Sequence, residues 1–147
     1  MTTQIRTLYE QDFCLWLEET IKLLEEGRLS NVDLAHLLEE LIGMSNSERS
    51  ALENNLTIIL MHLLKYAYQP EKRSNSWRVT IREHRRRISK AFKKSPSLKR
   101  YFAEVFEECY QDARALAADE TMILLERFPA VCPFTPDESL NPDYLPN

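Results

Sequence analysis

Glycine occurs only twice in the 147 residues, at Gly27 and Gly43. Glycine adopts positive φ angles without strain, so tight turns between strands depend on it. A chain of this length that folded into sheets would need many such turns, whereas a few long helices need few connections. The scarcity of glycine therefore predicts an all-α fold, and the 44% of apolar residues can supply its core.

Two amphipathic helices are expected first, because the apolar residues recur at three- and four-residue steps. The first helix begins at a capping box formed by Thr7 and Glu10 and stops at Gly27. The second opens at residues 30–33 and ends at Gly43. Its apolar face consists of Leu34, Leu37, Leu38, Leu41 and Ile42.

A third helix should be the central element of the fold. It opens at another capping box in residues 45–48 and reaches about Tyr68. Its main stripe consists of Leu52, Leu56, Ile59, Leu60, Leu63 and Leu64, with Ile58 and Met61 pointing the other way. A helix that is apolar nearly all round is a buried one.

Two further helices follow a break at Pro70, which cannot continue a helix. The fourth helix spans 77–94. The fifth starts with Ser95 as its cap and Pro96 at its first position, and runs to about Glu120. The fold is therefore expected to be a bundle of about five helices around the buried third helix.

The C-terminal residues 128–147 contain five of the seven prolines. They should form a mostly irregular tail, with one helical turn after Thr135. Apolar side chains remain within this tail, so it should pack on the surface of the bundle. We expect one domain over residues 1–147.

The charges are strongly segregated along the chain. Residues 1–64 carry 4 Lys/Arg against 11 Asp/Glu, residues 65–100 carry 13 against 2, and residues 101–147 carry 2 against 10. The net charge of −4 therefore hides a basic middle third between two acidic flanks.

The fourth helix concentrates this positive charge on the side opposite its apolar stripe. The candidate binding residues for nucleic acid or an acidic partner are Arg78, Arg82, Arg86, Arg87, Lys90 and Lys93. The favoured interpretation is that this face is either solvated or paired with the acidic flanking helices, and phosphate binding is the alternative. A membrane surface is disfavoured, because the core needs the apolar stripe.

The compartment is expected to be the cytoplasm. Cys14, Cys109 and Cys132 are scattered, so they predict neither a disulfide framework nor a zinc site. Residues 1–10 contain no signal-peptide block, and no apolar run approaches the roughly 20 residues of a membrane span.

No motif of an enzyme or of a cofactor site is present. Two isolated glycines cannot form a phosphate-binding loop, and no residue is marked as a nucleophile. His36 should face solvent opposite its helix's leucines, while His62 and His84 lie on other helices, so a shared metal site is not expected. We therefore predict no enzyme, no metal and no cofactor.

Three groups of residues resemble a known family. The first group is Tyr9-Glu10-Gln11-Asp12-Phe13 with Trp16-Leu17-Glu18, Glu39-Glu40-Leu41 and Ser47-Glu48-Arg49. The second group is Met61-His62-Leu63-Leu64-Lys65 with Gln69-Pro70-Glu71, Ser76-Trp77, Thr80-Ile81-Arg82-Glu83 and Arg85. The third group is Phe128-Pro129 with Cys132-Pro133-Phe134-Thr135 and Leu145-Pro146. Over nearly the whole chain they resemble the bacterial domain-of-unknown-function family number 29, which is frequent in cyanobacteria. The resemblance implies a small all-helical protein and no assigned activity.

Part of this family motif suggests a second candidate site. The break at Pro70 could bring five residues together at one end of the bundle: His62, Lys65, Gln69, Trp77 and Arg85. The competing interpretation, which we favour, is structural: His62 and Gln69 satisfy backbone groups at helix ends and Trp77 fills the core.

Function is expected to be that of an interaction or structural module with segregated acidic and basic faces. The sequence is compatible with two kinds of partner, a second copy of the chain or another protein. The alternative is a nucleic-acid-associated protein that uses the basic helix 77–94.

Overall fold

The computed structural model describes residues 2–147, with side chains from Ile5 onward. This part of the chain is all-α and contains no strand, which confirms the predicted fold class. It has six α-helices: α1 (Thr2–Gln11), α2 (Phe13–Glu25), α3 (Leu34–Tyr68), α4 (Asn75–Lys94), α5 (Leu98–Thr121) and α6 (Pro136–Leu140).

The chain divides into two compact units, residues 1–47 and residues 48–147. The first unit contains α1, α2 and the beginning of α3, and the second contains the remainder of α3 and everything after it. The expectation of one domain over 1–147 stays a prediction.

The N-terminal helices do not begin where the sequence patterns suggested. Thr7 lies inside α1, so the predicted capping box with Glu10 is wrong. The side chain of Asp12 instead accepts a hydrogen bond from the amide of Leu15 at 3.0 Å and caps α2. Gly27 has a φ of +72° just after α2, which confirms it as the stop signal.

The predicted break between the second and third helices is wrong, because α3 is continuous from Leu34 to Tyr68. Gly43 and residues 45–48 lie within it. A glycine inside a helix costs only about 1 kcal/mol relative to alanine, so it does not end a helix by itself. Residues 41–50 are all exposed, which leaves their polar side chains free to be solvated.

The core of residues 48–147 is built around the second part of α3, as predicted. Leu56, Ile59, Leu60, Leu63 and Leu64 are completely buried there. Helices α4 and α5 pack on this stretch through two apolar stripes, which include Ile81, Ile88, Phe102, Val105, Phe106 and Ala113.

The connection between α4 and α5 differs from the expected one. The amide of Ser95 donates to the carbonyl of Ala91 at 2.8 Å, so Ser95 ends α4 rather than starting α5. Pro96 lies between the helices, and α5 begins at Leu98. The predicted start of the fifth helix is therefore wrong by two residues, because the Ser95 amide completes the preceding helix.

The tail packs on the bundle, as predicted. Phe128 and Phe134 belong to the buried core. Thr135 and Glu138 form a complete capping box, each side chain accepting from the other residue's amide at 3.0 Å, and α6 follows it. The single helical turn expected after Thr135 is thereby confirmed.

Candidate functional site

The six candidate cations of α4 are all exposed, while Ile81 and Ile88 on the opposite side of the helix are buried. This arrangement confirms the predicted amphipathic character of α4. Arg78, Arg82, Arg86 and Lys90 follow one another at four-residue steps, which places them in one row along the helix.

Two of these cations are paired within α4 itself. Arg86 donates to the carboxylate of Glu83 through Nη2 at 2.9 Å and Nε at 3.1 Å, and Arg87 Nε donates to it at 3.4 Å. The hydrogen bond from Arg86 is the main reason that the pKa of Glu83 is lowered to about 2.

The other four candidates, Arg78, Arg82, Lys90 and Lys93, have no ion pair within residues 5–147, whose side chains the structure describes. Of the two arrangements expected within the chain, these four side chains are solvated rather than paired with the flanking acidic helices. Nearby inter-helix pairs involve other lysines: Lys65 Nζ with Glu120 at 3.6 Å, and Lys94 Nζ with Glu48 at 3.9 Å. The basic face is left to solvent.

The structure brings together part of the family motif. Lys65 Nζ lies 4.8 Å from the centroid of the Trp77 ring, a cation–π contact, and also pairs with Glu120. His62 lies one turn earlier in α3, and its Nδ1 is at hydrogen-bond distance, 2.9 Å, from the carbonyl oxygen of Ile58. Burial is the main reason that the pKa of His62 is lowered. Gln69 is also buried.

Arg85 makes its hydrogen bonds with the tail instead of with this group, and the five-residue pocket stays a prediction. Its guanidinium is buried and donates three hydrogen bonds to backbone carbonyls of the tail. Nε donates to Ser139 at 2.9 Å, Nη1 to Tyr144 at 3.0 Å and Nη2 to Glu138 at 3.1 Å. The sequence already indicated the burial of Arg85 through its position along the helix. Arg85 follows Ile81 by four residues and precedes Ile88 by three, so it lies on the buried stripe.

A polar cluster in residues 1–47 was not predicted. The buried carboxylate of Asp33 accepts from Trp16 Nε1 at 3.4 Å and lies 2.6 Å from His36 Nδ1. Burial would raise the pKa of Asp33, but the hydrogen bonds from His36 and Trp16 lower it below its ordinary value. The ring of Tyr9 stacks on His36 at 3.9 Å, and its hydroxyl donates to Glu40.

The polar groups of this cluster satisfy one another's hydrogen bonds. No buried side-chain nitrogen or oxygen in the described residues lacks a hydrogen-bond partner. The expectation that His36 faces solvent is wrong, because Asp33 is buried and holds the ring. The visible signal was the position of Asp33 directly before α3, where its Oδ1 accepts from the amide of His36 at 3.4 Å as a capping side chain does.

Two sets of apolar side chains in the same unit are exposed instead. Leu34, Leu38, Leu41 and Ile42 are each more than half exposed. A second row at helical spacing runs along α2 and consists of Phe13, Leu17, Ile21 and Leu24, which are 37–55% exposed. We call these two sets the apolar rows. Four of the five side chains on the apolar face expected for the second helix are thus open to solvent, and Leu37 is half-buried.

Neither a metal site nor a membrane span is found in the part of the chain that the structure describes. No three His, Cys, Asp or Glu side chains are grouped so that they could hold a metal ion. No helix there is both long enough and apolar enough to cross a bilayer.

Comparison with known proteins gives a family but no activity. No curated protein and no solved structure matches the chain. One family model matches residues 8–145. This range includes the polar cluster of Tyr9, Trp16, Asp33 and His36, and the part of the tail that Arg85 contacts. The chain therefore belongs to the family described as domain of unknown function DUF29.

Proposed function

We propose that this protein is a non-catalytic protein-interaction module, and that the apolar rows of α2 and α3 are its docking surface. The observation that carries the proposal is their exposure: Leu34 and Leu38 remain 66% and 58% exposed. Regularly spaced apolar side chains that stay exposed mark interaction sites in soluble proteins. Positions three and four residues apart are those that a partner helix contacts.

The charge around the apolar rows favours one class of partner. Residues 1–47 carry nine Asp/Glu and three Lys/Arg. Glu18 and Glu25 flank the row on α2, and Glu39 flanks the row on α3. A second copy that docked through the same face would bring like charges together, whereas a basic amphipathic helix would meet opposite charge.

The cysteines are consistent with a cytoplasmic location for this module. Cys14, Cys109 and Cys132 are all free thiols, although Cys14 is exposed. Unpaired cysteines are usual in reducing compartments.

The docking surface can be tested with a labelled amphipathic helical peptide of leucine and lysine, followed by fluorescence anisotropy. We expect saturable binding, and at least about tenfold weaker binding to the double variant Leu38→Gln/Leu41→Gln, since each buried leucine contributes about 1.5–3 kcal/mol. This variant keeps the charge of the chain. Val131→Gln, at a tail position that is 73% exposed, is the matched control and should bind as the wild type does.

A peptide that binds the double variant as tightly as the wild type would contradict the proposed surface. A peptide of leucine and glutamate should not bind. If sedimentation shows dimers in the wild type and monomers in the double variant, the partner is a second copy of the chain and the proposed basic helix is wrong.

Nucleic-acid binding is the second candidate, and the four unpaired cations of α4 favour it. If Arg78, Arg82, Lys90 and Lys93 each neutralise one phosphate, log affinity should fall against log salt with a slope of about −3.6 for duplex DNA. Arg82→Ala/Lys90→Ala should then flatten the slope by about 1.8. Arg86→Ala should change it less, because Glu83 already pairs with Arg86. Absence of salt-sensitive DNA binding would rule this candidate out.

A further inference from the structure

A cleft of about 380 Å³ lies beside the C-terminal half of α4, where α4, the start of α5 and α6 meet. Its apolar side is formed by Ile88, Phe92 and Leu140. Its polar side carries three cations, Arg85, Lys93 and Lys99, and no carboxylate lines it. Volumes of roughly 300–1,000 Å³ are those of small-molecule sites.

The charge of this cleft is uncompensated. Neither Lys93 nor Lys99 forms an ion pair within the described residues. Arg85 is fixed by its three bonds to neutral carbonyls of the tail, so its positive charge also meets no carboxylate. Charges of one sign along a cleft with apolar walls concentrate ligands of the opposite sign.

We propose that this cleft binds a small amphipathic anion, with its carboxylate or phosphate against Lys93 and Lys99 and its apolar part against Ile88, Phe92 and Leu140. The tail completes the site, because Leu140 belongs to α6 and Arg85 holds the residues on either side of it. The proposal does not depend on the apolar rows, which belong to residues 1–47.

Isothermal titration calorimetry with octyl phosphate tests the site. Octanol lacks the phosphate charge and inorganic phosphate lacks the alkyl chain, so both serve as matched control ligands. We expect one saturable site for octyl phosphate and weaker binding of the other two. Lys93→Gln/Lys99→Gln should weaken octyl phosphate binding roughly tenfold, as expected for two partly solvated charge contacts.

Lys94→Gln is the matched control, because Lys94 is exposed on the same helix but does not line the cleft. It should leave binding unchanged. Leu140→Trp should block the cleft, and its circular dichroism shows whether the fold is kept. The proposal is overturned if octyl phosphate gives no saturable heat, if Lys94→Gln weakens binding as much as the double variant, or if inorganic phosphate binds equally well.

Discussion

Replacing Trp16 with alanine should unfold residues 1–47 while residues 48–147 stay folded. Trp16 is completely buried and donates its indole N–H to the buried carboxylate of Asp33. Removing a buried tryptophan costs about 3–5 kcal/mol. Proteins have a free energy of unfolding of roughly 0.05–0.15 kcal/mol per residue, which gives this unit only about 2–7 kcal/mol. The loss is therefore comparable with the entire free energy of unfolding of the unit.

Hydrogen exchange followed by mass spectrometry measures this effect by segment. Peptides from α2 should lose their protection in Trp16→Ala, whereas peptides that cover Leu56–Leu64 should keep it. Leu24→Ala is the matched control on the same helix, since Leu24 is 43% exposed and should cost little. If α2 stays protected in Trp16→Ala, the polar cluster is not what holds this unit together.

Replacing Arg85 with methionine should destabilise residues 48–147 by at least about 3 kcal/mol and release the tail. The substitution leaves the carbonyls of Glu138, Ser139 and Tyr144 without their donors. Each buried polar group that loses its partner costs about 1–3 kcal/mol. Arg85→Lys should be nearly as damaging, because one ammonium group cannot reproduce the planar fork of a guanidinium.

Urea unfolding gives the free energy, and limited proteolysis reports the tail. Arg82→Met is the matched control, because Arg82 lies on the same helix, is exposed and has no ion pair in residues 5–147. It should change stability by no more than about 0.5 kcal/mol. Equal stability of the two variants would show that Arg85 does not anchor the tail.

The sequence was sufficient where a single physical effect dominated. The second part of α3 was identified as buried because residues such as Leu63 and Met61 cover opposite sides of the helix. The turn at Thr135 was identified because its capping box is purely local. The basic face of α4 was likewise visible, since its cations lie opposite Ile81 and Ile88.

The sequence was insufficient where tertiary contacts decided the outcome. Gly43 is a local helix stop worth only about 1 kcal/mol, and α3 continues through it. His36 was placed in solvent because its helix's leucines were assumed to be buried. Trp16 and Asp33, distant in the sequence, reverse that assignment, and no periodicity within one helix reveals such a pair.

The candidate sites show the same division. The exposed cations of α4 could be listed from the sequence, but the pairing of Arg86 and Arg87 with Glu83 required side-chain geometry. Arg85 was grouped with the family motif, and its contacts with the tail depend on residues more than fifty positions later. The cleft beside α4 needed the position of Leu140 in α6.

The central claim, that the apolar rows are a docking surface, is tested most directly by nuclear magnetic resonance on the labelled full chain. Titration with the leucine–lysine peptide should shift the amide signals of α2 and of residues 34–44, and leave those of α4 unchanged. The same titration with Leu38→Gln/Leu41→Gln should abolish most of these shifts. Shifts spread evenly over all acidic segments, or retained in the variant, would contradict the proposed docking surface.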